Sequence, residues 1–179
     1  MKKVFLLFAL AATLFAACGQ DENKESVEPA QPVPDKVRMS FTFDATDDML
    51  RYLDITVVYD DGTGERSECV VANQWSKSLT VKLPATFTYK YEARVKADLY
   101  DTMAAAEAIS FTRHYSYAYD IIDVSGAVIP GMGREHSSSH PTHSGVGARV
   151  AERYNEGNFD KTYTYTFDAN GRNTTNDQK

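Results

Sequence analysis

The chain has 179 residues with a formal net charge of -6, 42% hydrophobic and 12% aromatic residues, and a mean hydropathy of -0.43. That length suits a single domain with a core of its own. The acidic balance, with no cluster of Lys and Arg, argues against nucleic acid or an anionic lipid surface as partner, because both are bound through basic patches that release counterions.

Residues 1–17 open with Lys2 and Lys3, continue through the apolar run VFLLFALAATLFAA and close on small residues before Cys18. This is the pattern of a secretory signal. At 1.5 Å per residue the run is too short to cross about 30 Å of hydrocarbon as a helix, so its removal is expected. Phe15, Ala16 and Ala17 ahead of Cys18 resemble the bacterial lipobox, with Phe15 where Leu is usual. The resemblance implies that Cys18 is acylated, becomes the new N-terminus and holds the protein to a membrane through acyl chains, each buried CH₂ contributing about 0.8 kcal/mol. Gln20, Asp21 and Glu22, just after Cys18, resemble the short acidic signal that some Gram-negative lipoproteins carry for display on the outer face of the outer membrane. A merely polar tether accounts for them equally well.

Loss of residues 1–17 leaves 162 residues at a net charge of -8. Residues 18–36 then form a lipidated cysteine and a flexible tether: three of the six prolines lie here, Pro29, Pro32 and Pro34, and no aromatic residue does. Such a composition buries too little apolar area to offset chain entropy, and its prolines favour extended backbone. With Cys18 lipidated, Cys69 has no partner in the chain, and its place in ERSECVVA reads as a small buried core residue.

From residue 37 the dominant signal is a period of two. Met39, Phe41 and Phe43 alternate with polar residues, as do Leu53, Ile55, Val57 and Tyr59, and both segments read as half-buried strands. DDGTGE, residues 60–65, supplies a hairpin turn; Asp60, Asp61 and Glu65 could offer oxygens to calcium, which needs six to eight, so the turn reading is preferred. Leu79, Val81 and Leu83 mark the next strand. FTYKYEARVKADL follows, with Phe87, Tyr89, Tyr91, Ala93, Val95, Ala97 and Leu99 on one face and charged residues on the other. DTMAAAEA predicts a short helix with Asp101 or Thr102 as N-cap.

ISFTRHYSYAYDIIDV predicts another long strand, with Phe111, Arg113, Tyr115, Tyr117 and Tyr119 on one face. Residues 126–157 read as irregular, and FDKTYTYTF, with Tyr163, Tyr165 and Phe167, as the last strand. About seven strands with few helices predict a mainly β fold, an antiparallel immunoglobulin-like β-sandwich over residues 37–170 with a disordered tail over 171–179; a small antiparallel β-barrel is the alternative.

Residues 79–97, LTVKLPATFTYKYEARVKA, resemble the part of fibronectin type III domains where a leucine and a proline precede an aromatic residue and alternating apolar positions. The spacing from Leu83 and Pro84 to Tyr89 departs from the family pattern, and Trp75 lies in a polar, loop-like segment rather than an early strand. YTFDANGR, residues 165–172, resembles one unit of the tyrosine-aspartate repeats of large secreted toxins, although Asn170-Gly171 is sufficient as a turn.

Two constellations carry candidate chemistry. His136, His140 and His143 fall within eight residues and could supply three ligands to zinc or copper, with Met132 as an added thioether for copper; a solvated loop is the alternative. Tyr115, Tyr117 and Tyr119 with Arg113 beside them, joined by Trp75 and Tyr154, could form an aromatic platform for sugar rings, while the same alternation is first expected to pack between two sheets. No catalytic motif is present: His114 with Asp120 or Asp123 and a serine is not a triad on spacing alone, and no cofactor is implied. The expectation is an outer-membrane, surface-displayed lipoprotein that binds glycan or protein without catalysis. A structural pilus-type subunit and a periplasm-facing metal-binding or envelope-maintenance protein are the alternatives.

Overall fold

The computed structural model describes residues 31–60, 62–137 and 142–175, with side chains at 136 and 137 left out. The chain divides into Met1–Gln31 and Pro32–Lys179, and the elements of the described residues lie in the second unit. In chain order they are β1 (Pro34–Asp44), α1 (Asp47–Tyr52), β2 (Leu53–Asp60), β3 (Glu65–Cys69), β4 (Gln74–Lys82), β5 (Ala85–Val95), a 3₁₀ turn (Ala97–Leu99), α2 (Tyr100–Ala104), β6 (Ile109–Thr112), β7 (His114–Asp123), β8 (Arg134–Ser137), β9 (Thr142–Gly145), α3 (Gly147–Asn155) and β10 (Lys161–Phe167).

These strands form an antiparallel β-sandwich, not a closed barrel. One sheet has the order β4-β1-β7-β8, the other β10-β5-β2-β3, and β6 with β9 makes a separate ribbon. Alternation decides which side chains enter the gap between sheets. Val37, Met39, Phe41 and Phe43 of β1 face Leu53, Ile55, Val57 and Tyr59 of β2 and Phe87, Tyr89 and Tyr91 of β5 across a core from which water is excluded. Aromatic rings set the contact: Phe41 stacks on Tyr89 at 5.2 Å, Phe43 on Tyr91 at 4.8 Å and Tyr115 on Tyr163 at 4.5 Å.

The flank at β3 and β4 is closed by an inward charge. Glu68 stands opposite Val57 in the ladder, and its carboxylate accepts from Tyr59 Oη at 2.6 Å, Lys77 Nζ at 2.6 Å and Trp75 Nε1 at 2.9 Å. These groups come from both sheets, so one carboxylate pins β2, β3 and β4 together. Inward charges at edge strands also discourage edge-to-edge pairing with other chains.

Several sequence expectations need correction here. Cys69 is exposed, because its partner in the ladder is Thr56 on the outer face, and Val70 takes the buried position next to it. Trp75 belongs to β4, opposite Phe43, and is buried rather than in a polar loop. The span read as irregular contains α3, whose Gly147, Val150, Ala151 and Tyr154 are buried at helical spacing. The β-domain begins at Pro34, within the expected tether, and residues 171–175 are not a disordered tail: Thr174 N–H donates to Thr166 O at 2.8 Å and Thr166 N–H to Thr175 Oγ1 at 2.9 Å. The helix expected over DTMAAAEA starts at Tyr100 without a side-chain cap.

Gly147 is where α3 meets the end of α2. A Cβ there would lie 2.0 Å from Met103 O and 2.8 Å from Ala106 O, and its N–H donates to Ala106 O. Gly147→Ala is expected to cost about 2–3 kcal/mol or more as the two helices are forced apart. Urea unfolding checks this, with a lower midpoint at unchanged slope.

The Glu68 contacts also set a pH dependence. Hydrogen bonds from Lys77, then Tyr59 and Trp75, lower its pKa from 4.5 to about 2. The folded state therefore holds Glu68 ionised where the unfolded chain begins to protonate it, so this stabilisation is present above pH 4.5 and lost as pH falls toward about 2. Glu68→Gln should flatten that acid limb, followed through Trp75 fluorescence, since the chain has one tryptophan.

Candidate functional site

β7 carries the residues that define both the core and its open flank. Tyr115, Tyr117, Tyr119 and Ile121 alternate along its inward face, and β10 lies over them in the other sheet: Tyr117 meets Tyr165 at 4.5 Å, and Tyr119 meets Phe167 edge-on at 4.9 Å. β8 extends the first sheet beyond β10, which is the edge of the second. The sheets are therefore out of register at this flank, and the inward faces of Tyr117 and Tyr119 are only half covered.

The uncovered space is a cleft of about 420 Å³. Tyr117, Tyr119 and Tyr165 form its aromatic wall; Gly131, Met132, Gly133 and Arg134 come from the approach to β8, and Gly171, Arg172, Asn173 and Thr175 from the chain after β10. The volume falls within the usual range of about 300–1,000 Å³ for small-molecule sites.

Local chemistry explains why the last of these segments returns to the cleft. Asp168 Oδ1 accepts from Asn170 N–H at 2.8 Å and Arg172 N–H at 2.9 Å, an Asx-type turn. Gly171 has φ +74, and a Cβ there would sit 2.8 Å from Ile121 Cγ2, so only glycine suits both the turn and its packing. Asn173 then bridges to Phe167, which lays residues 173–175 along the free edge of β10.

The six residues expected as a platform do not form one exposed row. Trp75 lies at the closed flank on Glu68, and Tyr115 is stacked between Tyr89 and Tyr163 with its hydroxyl 2.5 Å from that of Tyr165. Arg113 is 4% exposed; it donates to Phe159 O at 2.9 Å and lies over the Tyr91 ring at 4.5 Å. Tyr154, on the inner face of α3, is fully buried. Of that set, Tyr117 and Tyr119 alone reach the cleft, because alternation puts all of β7's aromatics inward and the overhang of β8 uncovers the last two.

The histidines separate likewise. His143, on β9, stacks on Phe159 at 3.8 Å, and its Nδ1 lies 2.8 Å from Tyr154 Oη. Burial, and then the charges of Arg113, Arg153 and Lys161, lower its pKa from 6.5 to about 4, so it is neutral at pH 7. His136 stands opposite Tyr117 on β8, in a different sheet, and His140 lies outside the described residues. Among the described residues no group of three or more His, Cys, Asp or Glu is placed to hold a metal ion. The Asp60 carboxylate caps its own turn by accepting from Gly62 and Gly64 N–H. His114 pairs with Asp44 at 2.9 Å, while Asp120 holds Arg38 and Asp123 caps the Ser125–Ala127 turn, so neither aspartate expected beside His114 completes a triad.

Sequence reasoning overlooked Arg134, Arg172, Asn173 and Thr175. The signal for the last three was present in Asn170-Gly171: a tight turn after a strand brings the following residues back along that strand's edge. Arg134 carried no such local sign. No protein-family model, curated protein or solved structure matches this chain.

Neutral His143 implies a second pH dependence. The unfolded chain protonates this side chain below 6.5 and the folded chain only near 4, so stability falls as pH drops through that interval. His143→Phe keeps a ring on Phe159 but removes the hydrogen bond between His143 Nδ1 and Tyr154 Oη. It is expected to cost about 1–3 kcal/mol at pH 7 and to close much of the gap to wild type by pH 4, measured by thermal melts across that range.

Proposed function

We propose that this protein is an exported lipoprotein, anchored through Cys18 in the outer membrane and displayed at the cell surface, that binds a glycan in the cleft beside β8 and β10 without catalysis. The observation that carries the reading is the cleft: two half-buried tyrosines and a third ring beneath them, ringed by arginine, asparagine and threonine side chains. Tyrosine faces suit the apolar faces of sugar rings, and the surrounding planar polar groups suit their hydroxyls. The basic and apolar leader, the small residues before Cys18 and the proline-bearing segment after it support the anchored half of the reading. Among the described residues no helix is long and apolar enough to cross a membrane.

Three measurements test this. Cells fed an alkyne-tagged fatty acid should label the wild-type protein and not Cys18→Ser, and protease added to intact cells should cleave it while a periplasmic control survives; an unlabelled wild type or full protection would contradict the placement. In a glycan panel run where both proteins are folded, Tyr117→Ala plus Tyr119→Ala should weaken binding by about 1–3 kcal/mol, since aromatic anchors dominate such sites, and should lower the melting midpoint through loss of the Tyr165 and Phe167 contacts. Unchanged binding would remove the cleft from the function.

A further inference from the structure

We propose that the glycan taken by this cleft is acidic, a sugar whose ring carries a carboxylate; the inference rests on the glycan reading above. The chain has 25 acidic and 19 basic residues, yet among the described residues the cleft lining holds Arg134 and Arg172 and no Asp or Glu. Its sign is opposite to that of the molecule.

Both arginines are rooted on fixed backbone and, among the described residues, form no ion pair. Arg134 stands opposite Tyr119 in the β7–β8 ladder, and the Arg172 N–H is held by Asp168 Oδ1 at 2.9 Å. Among the described residues, Arg38 is paired with Asp120 and Arg94 with Asp160, while Arg134 and Arg172 appear in no ion pair. Two guanidinium groups lining one cleft give it a local positive charge that a bound anion neutralises. A guanidinium presents a planar fork of donors that matches a carboxylate through two parallel hydrogen bonds. The tyrosine wall alone would accept any sugar face; the arginines select among them.

Charge at long range works against this ligand, since the protein as a whole is acidic, but at physiological salt that field is screened beyond about 8 Å. The local pair therefore decides the sign of the interaction.

Titration calorimetry on the full-length protein in detergent, with tetragalacturonate, its methyl ester and neutral galactotetraose, tests the inference. The acid and its ester share rings and linkages and differ in charge. The acid should bind about tenfold more tightly than the ester. Arg134→Gln with Arg172→Gln should bring that ratio to about one, and Arg134→Glu with Arg172→Glu should reject the acid while still taking the ester, both with wild-type melting behaviour. Equal binding of acid and ester by wild type, or a ratio unchanged in the double variants, would overturn the acidic preference and leave the glycan reading standing. Silence with all three sugars would overturn the glycan reading and this inference together.

Discussion

Tyr89 is the side chain on which this fold turns. It is fully buried in β5, stacked on Phe41 at 5.2 Å and on Tyr115 at 4.9 Å, with Trp75 6.0 Å and Tyr163 6.0 Å away. Those partners come from β1, β7, β4 and β10, so one ring touches both sheets and sets their spacing. Stacked and tilted pairs each contribute about 0.5–1.5 kcal/mol beyond the area they bury. Filling the gap with tyrosine rather than leucine brings hydroxyls inside. Burial raises the pKa of Tyr89 and Tyr115 far above the ordinary value, so both stay protonated.

The Tyr89 hydroxyl has no hydrogen-bond partner among the described residues, whereas tyrosines nearer the rim of the sandwich find theirs there. Tyr59 reaches Glu68, Tyr154 reaches His143 and Tyr115 reaches Tyr165. At the β3–β4 flank the acceptor is a carboxylate, which also draws in Lys77 and Trp75 and closes that side. Across the molecule, β8 extends past β10 and the interior aromatic row emerges between Met132, Arg134 and the returning residues 171–175. The candidate site is thus the place where the core surfaces, with its aromatic wall preorganised by the same contacts that hold the sheets.

The architecture was legible because alternation in β1, β2, β5 and β10 is nearly unbroken, and a period of two leaves little freedom in which face is buried. The same rule placed Tyr115, Tyr117 and Tyr119 together on one face. It could not say which of them would be covered, since that depends on how far one sheet overhangs the other, a relation between residues distant in sequence. Cys69 was misassigned for a similar reason: apolar character suggested the core, whereas register with Thr56 put it outside and turned Glu68 inward. A charged residue facing inward becomes sensible once Tyr59, Lys77 and Trp75 converge on it. In α3 the helical spacing of Gly147, Val150, Ala151 and Tyr154 was available, but a nine-residue helix opening on glycine, after a segment rich in Gly, Ser and His, presents no start signal.

The central claim is that the exposed end of this aromatic row, and not another surface, receives the ligand. Site-selective labelling of tyrosine rings, read by NMR during addition of a bound glycan, measures that directly. The account predicts that Tyr117, Tyr119 and Tyr165 shift or broaden together while Tyr59 at the closed flank and half-buried Tyr100 at the start of α2 stay unchanged. Shifts confined to Tyr100 or Tyr52, with the three cleft tyrosines silent, would contradict it.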